Sequence, residues 1–273
     1  LSILDFISIY QFPTSMDKPI ISLIKDRIGY IILNRPEKRN ALNGEMIAYL
    51  DAALTDFERD DAVKVIVIKA EGKVFCSGAD LAALHALQFN SFEENLIDSR
   101  GLKDLFHKIY TFPKVIIAQI QGHALAGGCG LASICDFSFA VSEAKFGYTE
   151  VKIGFIPAIV MVFLLRKLGE GKAKQLLLEG DLISATYAQS MGLINRVVEA
   201  AELEEKVYGF AQKLIEQNSG EAMSLTKEMI GRVQERTLEE ALEYAASMNA
   251  KARGTDDCKK GVTAFLNKEQ IKW

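Results

Sequence analysis

The chain has 273 residues, of which 49% are hydrophobic and 25% are charged, which predicts a globular protein with a sizeable core. Its formal net charge is −4, with acidic and basic residues intermixed, so the charge pattern favours neither nucleic acid nor a membrane surface as a partner. The 4 cysteines form no C-x-x-C pair and no histidines stand at ligand spacing, so we expect no disulfide framework, no metal site and a cytoplasmic location. No apolar stretch is long enough to predict a membrane-spanning helix.

Residues 1–15 are predicted to lie outside the folded core. They are apolar and aromatic, but they lack the basic start and the small-residue cleavage site of a signal peptide. Met16 follows them immediately, and we expect native translation to begin there. The predicted organisation is a non-core extension at 1–15, an α/β core at 16–200 and a helical region at 201–273.

The core begins with a predicted β-hairpin and a helix. Ile20 to Ile24 and Ile28 to Leu33 are β-rich runs that a short polar segment separates. Asn43 is placed to cap the following helix, whose apolar residues recur at helical spacing at Ile47, Leu50, Leu54 and Phe57. Val63 to Ile68 is predicted to be a buried strand.

Two turns of small residues each follow buried strands. The first turn is Ser77 to Asp80, and the second, Ala126 to Gly130, follows the apolar run Val115 to Ile120. A helix whose first turn is rich in glycine leaves its free backbone N–H groups reachable, where they suit an anion or a polarised carbonyl oxygen. The alternative is that the glycines only allow a helix and a strand to pack closely.

Strands alternate with helices up to about residue 200, which predicts an α/β core. A helix is expected from Ser91 to Tyr110, with acidic residues near its start. From Ala201 onward the strand signals end, and amphipathic helices are predicted at 203–217, 221–236 and 238–253. We expect this region to cover the core or to pack against another subunit.

Several short segments occur together in a characteristic order. They are Leu33-Asn34-Arg35-Pro36 with Arg39 to Asn43, Phe75 to Leu81, Gly122 to Gly130 with Cys135-Asp136, Lys145-Phe146-Gly147 with Glu150, and Met191 to Asn195 with Phe265-Leu266. Each segment alone is a weak signal, but their joint order and spacing resemble the enoyl-CoA hydratase/isomerase family, also called the crotonase family. The chain also resembles sequences that are often called methylglutaconyl-CoA hydratases.

The resemblance implies a crotonase-type α/β fold, a spiral of β-β-α units with a C-terminal helical region, assembled as homotrimers or as hexamers of paired trimers. It also implies chemistry on acyl-CoA thioesters, with CoA as part of the substrate and no separate cofactor. Backbone N–H groups at Ala79 and Gly127 would hold the thioester oxygen in an oxyanion hole, and Glu150 would move the proton on the neighbouring carbon. Apolar neighbours such as Phe146 and Ile153 would raise the pKa of Glu150, which suits a proton shuttle.

Two positions depart from the pattern of the family's hydratases. Those enzymes carry a second glutamate directly after the Gly-Gly-Cys segment, and this chain has Gly130 there. Ala158 replaces a glycine that is associated with holding the attacking water, and Ile159 to Phe163 make this wall more apolar. The usual clamp of two glutamates on a water molecule is therefore missing.

Three functions remain open. Glu150 alone could shift a carbon–carbon double bond, as the single-glutamate isomerases of the family do, and the mechanism favours this function. Hydration of a branched enoyl-CoA, such as methylglutaconyl-CoA, could persist if another group supplied the second acid, and the candidates are Glu93, Glu94, Asp98 and Tyr148. Alternatively, the protein could bind acyl-CoA without turnover.

Contacts with the substrate and with CoA are expected from the loop near residue 40, from the first turn and from the C-terminal segment. In the family, a neighbouring subunit often supplies that C-terminal segment. Lys and Arg side chains would suit the nucleotide phosphates. The candidate contacts are Lys38, Arg39, Ala41, Ser77, Asp80, Leu81, Ala158, Phe265 and Lys268.

Overall fold

The computed structural model describes residues 18–273, so the predicted extension at 1–15 and the expected start at Met16 lie outside the described residues. The strands are β1 (Ile20–Lys25), β2 (Ile28–Leu33), β3 (Val65–Ala70), β4 (Val74–Cys76), β5 (Val115–Ile120), β6 (His123–Leu125), β7 (Phe137–Val141), β8 (Lys145–Gly147), β9 (Ile183–Ser184) and β10 (Arg196–Val198). The helices are α1 (Gly44–Arg59), α2 (Leu81–Leu87), α3 (Phe92–Thr111), α4 (Gly127–Ile134), α5 (Ala158–Glu179), α6 (Ala185–Met191), α7 (Leu203–Gln217), α8 (Gly220–Val233), α9 (Leu238–Arg253) and α10 (Asp256–Asn267).

The strands form two sheets that share a repeating connection. The larger sheet has the order β1-β2-β3-β5-β7-β10, and the smaller sheet has the order β4-β6-β8-β9. Each of β3, β5 and β7 lies in the larger sheet, and the strand that follows it lies in the smaller sheet before the chain enters a helix. The fold is therefore the spiral of β-β-α units that the resemblance implied.

The apolar runs of the sequence become the buried strands of the larger sheet. All six residues of β5 are buried, as expected for a central strand of a parallel sheet, and α7 packs against this strand. The predicted hairpin is confirmed as the antiparallel pair β1 and β2. The predicted cap of α1 is also present, since the Asn43 side chain accepts a hydrogen bond of 2.9 Å from the backbone N–H of Met46.

The C-terminal helices divide into two groups. Helix α7 packs against β3, β5 and β7 and buries apolar residues such as Val207 and Ile215, so it belongs to the main core. Helices α8, α9 and α10 pack against one another, and α8 also packs against α3. Helix α10 was missed in the sequence, although Thr255 caps it through a 3.1 Å hydrogen bond from the Cys258 N–H, and two aspartates occupy its first turn.

Candidate active site

Three parallel strands of the smaller sheet bring the predicted site residues to one edge. β4 pairs with β6, and β6 pairs with β8 through Ala124 opposite Phe146 and Leu125 opposite Gly147. The carboxyl ends of parallel neighbours lie at the same edge of a sheet, which is where open α/β sheets place their sites. The residues that leave these three ends are Ser77 to Asp80, Ala126 to Gly127, and Tyr148 to Glu150.

In the first turn, the backbone N–H of Ala79 points away from Leu42, the residue with which Ala79 pairs. Leu42 pairs with Ala79 in an isolated parallel bridge, in which the Leu42 N–H donates to Gly78 O at 2.7 Å and Leu42 O accepts from the Asp80 N–H at 2.8 Å. In a parallel bridge of this kind the middle residue directs its own N–H and C=O to the opposite side. The Ala79 N–H is therefore directed away from Leu42 and remains available to a ligand.

The second turn places another backbone donor next to the first. Gly127 is the first residue of α4, so its N–H has no acceptor within the helix. A side-chain carbon at Gly127 would lie 4.0 Å from the Ala79 nitrogen and 3.7 Å from the Gly78 Cα. Among residues 18–273, neither the Ala79 N–H nor the Gly127 N–H donates to a protein acceptor, so two free donors are neighbours at this edge.

An ion pair that the sequence reasoning missed holds the first turn in place. Arg35 lies 3.1 Å from the Asp80 carboxylate and also donates to Ala41 O at 2.9 Å, which ties the loop before α1 to the turn. Asp80 also caps α2, because its side chain accepts from the N–H groups of Ala82 and Ala83. Burial alone would raise the pKa of Asp80, but the Arg35 hydrogen bond and the two backbone donors lower it below its ordinary value. Asp80 had been expected only as a substrate contact; its place directly before a helix was the signal for this second role.

Glu150 is a buried carboxylate at the start of a short 3-10 turn, Glu150–Ile153, after β8. The residue is 8% exposed, and its Oε2 atom is buried without a hydrogen-bond partner. Burial raises the pKa of Glu150, and a hydrogen bond from its own backbone N–H offsets part of that rise. A carboxylate that is unpaired and weakly solvated can accept and release a proton more readily at neutral pH than an exposed one.

The position of the missing second glutamate is filled by apolar side chains. A Cβ atom on Gly130 would lie 2.2 Å from Val160 Cγ1 and 3.1 Å from Phe106 Cε1, so neither neighbour leaves room for a side chain. Val160 of α5 is 5% exposed, and Phe106 of α3 is fully buried. Val160 and Phe106 therefore place hydrocarbon in the space that a side chain at position 130 would occupy, where α5 and α3 pack against α4.

The four candidates for a replacement acid are placed differently from one another. Glu93, Glu94 and Asp98 are exposed on α3. Glu94 forms a capping box with Ser91, whose backbone N–H and hydroxyl lower the pKa of the Glu94 carboxyl. Tyr148 is fully buried with its hydroxyl 3.2 Å from Ser133 Oγ, and burial raises its pKa well above the ordinary value. None of the four has the buried and unpaired carboxylate that Glu150 has.

The expected substrate and CoA contacts lie near the first turn, at the C-terminus and at the start of α5. Lys38 and Arg39 are exposed in the loop beside the first turn, and the Arg39 carbonyl accepts the Ser77 N–H at 3.1 Å. Of the C-terminal candidates, Phe265 lies on α10, which packs against α8 and α9, and Lys268 is the C-cap residue that follows this helix. The remaining positions are Ala41, which is buried, and Leu81 and Ala158, which are exposed at the starts of α2 and α5.

Residues 18–273 contain no group of three or more His, Cys, Asp or Glu side chains arranged to hold a metal ion. Over the same residues, no helix combines the length and the apolar character that crossing a bilayer requires. Cys129, which follows the second turn on α4, is fully buried, and burial raises the pKa of its thiol to about 12 and keeps it protonated.

Comparisons with known proteins identify the family to which the chain is similar. A sequence model described as enoyl-CoA hydratase/isomerase matches residues 24–273. A Thermus thermophilus protein provisionally named an enoyl-CoA hydratase is 41% identical over 249 residues, which are 91% of this chain and 98% of that protein. The crotonyl-CoA hydratase of Syntrophomonas wolfei is 35% identical, with 91% of this chain and 95% of that protein covered. The crystal structure of an enoyl-CoA hydratase from Mycobacterium smegmatis superimposes with a TM-score of 0.88 at 30% identity, covering 93% and 98% of the two chains.

The chain therefore belongs to the enoyl-CoA hydratase/isomerase family and is an enzyme of the crotonase type. The relatives carry hydratase names, whereas the position after Gly-Gly-Cys in this chain is Gly130.

We predict that Glu150→Gln increases the stability of the fold at neutral pH. Because the folded-state pKa is raised, the folded protein binds this proton more tightly than the unfolded chain does, so the contribution of Glu150 to stability falls as pH rises through the raised value. The neutral amide should raise the free energy of unfolding at pH 7 by on the order of 1 kcal/mol. Urea unfolding at several pH values should show this gain shrinking as the pH falls from neutral through the raised pKa of Glu150, and largely gone below about pH 4.3, the ordinary pKa of Glu.

The matched control is Glu143→Gln, since Glu143 is exposed between β7 and β8. It should leave the free energy of unfolding within about 0.5 kcal/mol of the parent at every pH. A loss of stability on Glu150→Gln at pH 7 would contradict the view that Glu150 is an uncompensated buried carboxylate.

Proposed function

We propose that this enzyme shifts a carbon–carbon double bond in an enoyl-CoA, with Glu150 as the single proton-transfer residue. In a 3-enoyl-CoA, the thioester oxygen accepts hydrogen bonds from the N–H groups of Ala79 and Gly127. Glu150 removes a proton from C2, and the electron pair moves toward the thioester oxygen as a dienolate forms. The same carboxylic acid then delivers the proton to C4, which yields the conjugated 2-enoyl-CoA without a separate cofactor.

The filled space beside Gly130 is the observation that carries this proposal. Hydration needs a water molecule held and activated next to the double bond, and a bound water needs two to four polar partners. In this chain Gly130 has no side chain. Val160 and Phe106 occupy the space that a carboxylate side chain at this position would need. Proton transfer between two carbons needs only one base and a site from which water is excluded. In the proposed reaction Glu150 is the base, and the Val160 and Phe106 side chains exclude water from this flank.

The second candidate is hydration of a short or branched enoyl-CoA. The names of the relatives favour it, because a crotonyl-CoA hydratase and a short-chain-enoyl-CoA hydratase share 35% and 32% of their residues with this chain. This function requires a replacement acid, for which Glu93, Glu94, Asp98 and Tyr148 are the candidates. The three acids of α3 are exposed, so solvent surrounds their carboxylates, unlike that of Glu150.

We also propose that the enzyme assembles as a trimer or as paired trimers. Phe265 and Leu266 support a subunit contact at α10, because they are 82% and 73% exposed in the single chain. Sedimentation equilibrium should give a mass of three or six times the 30.2 kDa chain. A monomer at micromolar concentration would contradict the proposed assembly.

The direct test is to give the purified protein a 3-enoyl-CoA and, separately, a 2-enoyl-CoA, and to separate the products by mass. We expect bond migration in the 3-enoyl-CoA to be at least about 100-fold faster than water addition to the 2-enoyl-CoA. Glu150→Gln should slow migration by about 10²- to 10⁴-fold, the range over which a positioned proton-transfer group contributes. Glu94→Gln is the matched control and should change the rate less than about twofold, since its capping box contributes only to helix stability.

Hydration that survives Glu150→Gln and is lost when Glu93 or Glu94 is neutralised would overturn the isomerase proposal in favour of the second candidate.

The role of the filled space can be tested by restoring the second carboxylate. Gly130→Glu alone should destabilise the fold by about 1 to 3 kcal/mol or more, because its Cβ would overlap Val160. Gly130→Glu with Val160→Gly removes both overlapping Val160 atoms and should recover part of this stability. We expect the double variant to hydrate a 2-enoyl-CoA faster than the parent, whereas Val160→Gly alone should not. A parent enzyme that hydrates as fast as the double variant would show that the space has no bearing on the reaction.

A further inference from the structure

The alanine that precedes the second donor has a backbone conformation that favours glycine. Ala126 has φ 51° and ψ −128°, and it occupies the N-cap position of α4. A side chain in this region is strained, because Cβ crowds the backbone, and such residues persist only where their surroundings hold them in place. The two residues that follow are glycines, so the one position that needs glycine's freedom has a methyl group.

The backbone hydrogen bonds of Ala126 do not require that methyl group. Its N–H donates to Gly147 O at 2.7 Å, and its carbonyl accepts from the Gly130 N–H at 3.1 Å. These bonds fix the turn between β6 and α4 and join it to the end of β8. A glycine at this position could form both of them without strain.

The methyl group lies between the two turns that carry the free donors. A Cβ built on Gly78 would be only 2.7 Å from the Ala126 Cβ, so the Ala126 methyl stands against the bare face of Gly78. Gly78 directly precedes the first donor, Ala79, and Ala126 directly precedes the second donor, Gly127. The contact between Ala126 and Gly78 therefore connects the backbone supports of both N–H groups.

We propose that Ala126 is a positioning residue whose methyl group sets the distance between the Ala79 and Gly127 N–H groups. Without that group, the turn at Ala126 gains the wide conformational range of glycine and loses its contact with Gly78, so the second donor no longer holds one direction. This inference rests on the proposed oxyanion hole. It assigns no contact between Ala126 and the substrate.

Polarisation of the bound thioester carbonyl reports donor placement without turnover. The probe is crotonyl-CoA labelled with carbon-13 at its carbonyl, bound to Glu150→Gln, and its C=O stretching band is measured by difference infrared spectroscopy. Two hydrogen bonds should move the band to lower wavenumber than in free crotonyl-CoA. Adding Ala126→Gly should remove roughly half of this displacement or more, since one of the two preorganised donors is loosened.

Kinetics with Glu150 intact supply the second readout. Ala126→Gly should lower kcat for bond migration by about 10- to 100-fold with a much smaller change in KM, because a misplaced donor weakens the transition state more than the ground state. Ala126→Ser is the matched control, because it keeps the Cβ against Gly78, and it should retain both kcat and the band displacement. The melting temperature of Ala126→Gly should stay within a few degrees of the parent, since glycine fits this φ.

The outcomes separate the inference from the function on which it rests. A full band displacement and parental kcat in Ala126→Gly would overturn the positioning role of Ala126. Equal losses in Ala126→Ser and Ala126→Gly would also overturn it, because the retained Cβ would then make no difference. No displacement in Glu150→Gln, with Ala126 present and crotonyl-CoA bound, would instead overturn the oxyanion hole itself.

Discussion

The proposed site depends on two backbone N–H groups that are held side by side, with no acceptor for either of them among residues 18–273. The Leu42 bridge directs the Ala79 N–H, and the start of α4 presents the Gly127 N–H. Donors that are fixed before the substrate arrives need no reorganisation as charge develops, and each can contribute roughly 3 to 4 kcal/mol to a transition state. Because these donors belong to the main chain, their placement is a property of the fold, and the β-β-α spiral delivers both turns to one sheet edge.

The space around Glu150 and Gly130 is poor in polar groups. Hydrocarbon from Val160 and Phe106 fills one flank, and the Glu150 carboxylate is buried with an unpaired oxygen. Burial disfavours the charged form, so the carboxylate binds a proton more readily, at a cost to stability near neutral pH. This composition is the reason for proposing that the site carries a proton between two carbons and does not activate a water molecule.

Local patterns in the sequence predicted much of the fold and some of the site. The hairpin, the Asn43 cap and the two small-residue turns depend on neighbours within a few residues, so they could be predicted without coordinates. The family resemblance was needed to combine the turns with Glu150. Helix α10 was missed, although the Thr255 cap with its acidic first turn was a readable signal.

Other features depend on contacts between distant segments. The Arg35–Asp80 ion pair joins residues 45 positions apart, and Val160 meets Gly130 only after α5 has packed on α4. The positive φ of Ala126 has no marker in its own residue type, since alanine ordinarily avoids that region. Packing between elements imposes these features, and a single sequence contains no local pattern that specifies such packing.

In the proposed reaction, one buried carboxylate moves a proton from C2 to C4 of a thioester held by two backbone donors. The most direct measurement follows deuterium from C2 of a 3-enoyl-CoA during turnover in water enriched in oxygen-18. We expect part of the deuterium to appear at C4 of the 2-enoyl-CoA, because the same shielded Glu150 carboxyl carries it across. No conversion of the 3-enoyl-CoA, together with a new hydroxyl group containing oxygen-18 when a 2-enoyl-CoA is supplied instead, would contradict the proposed isomerisation and identify a hydratase.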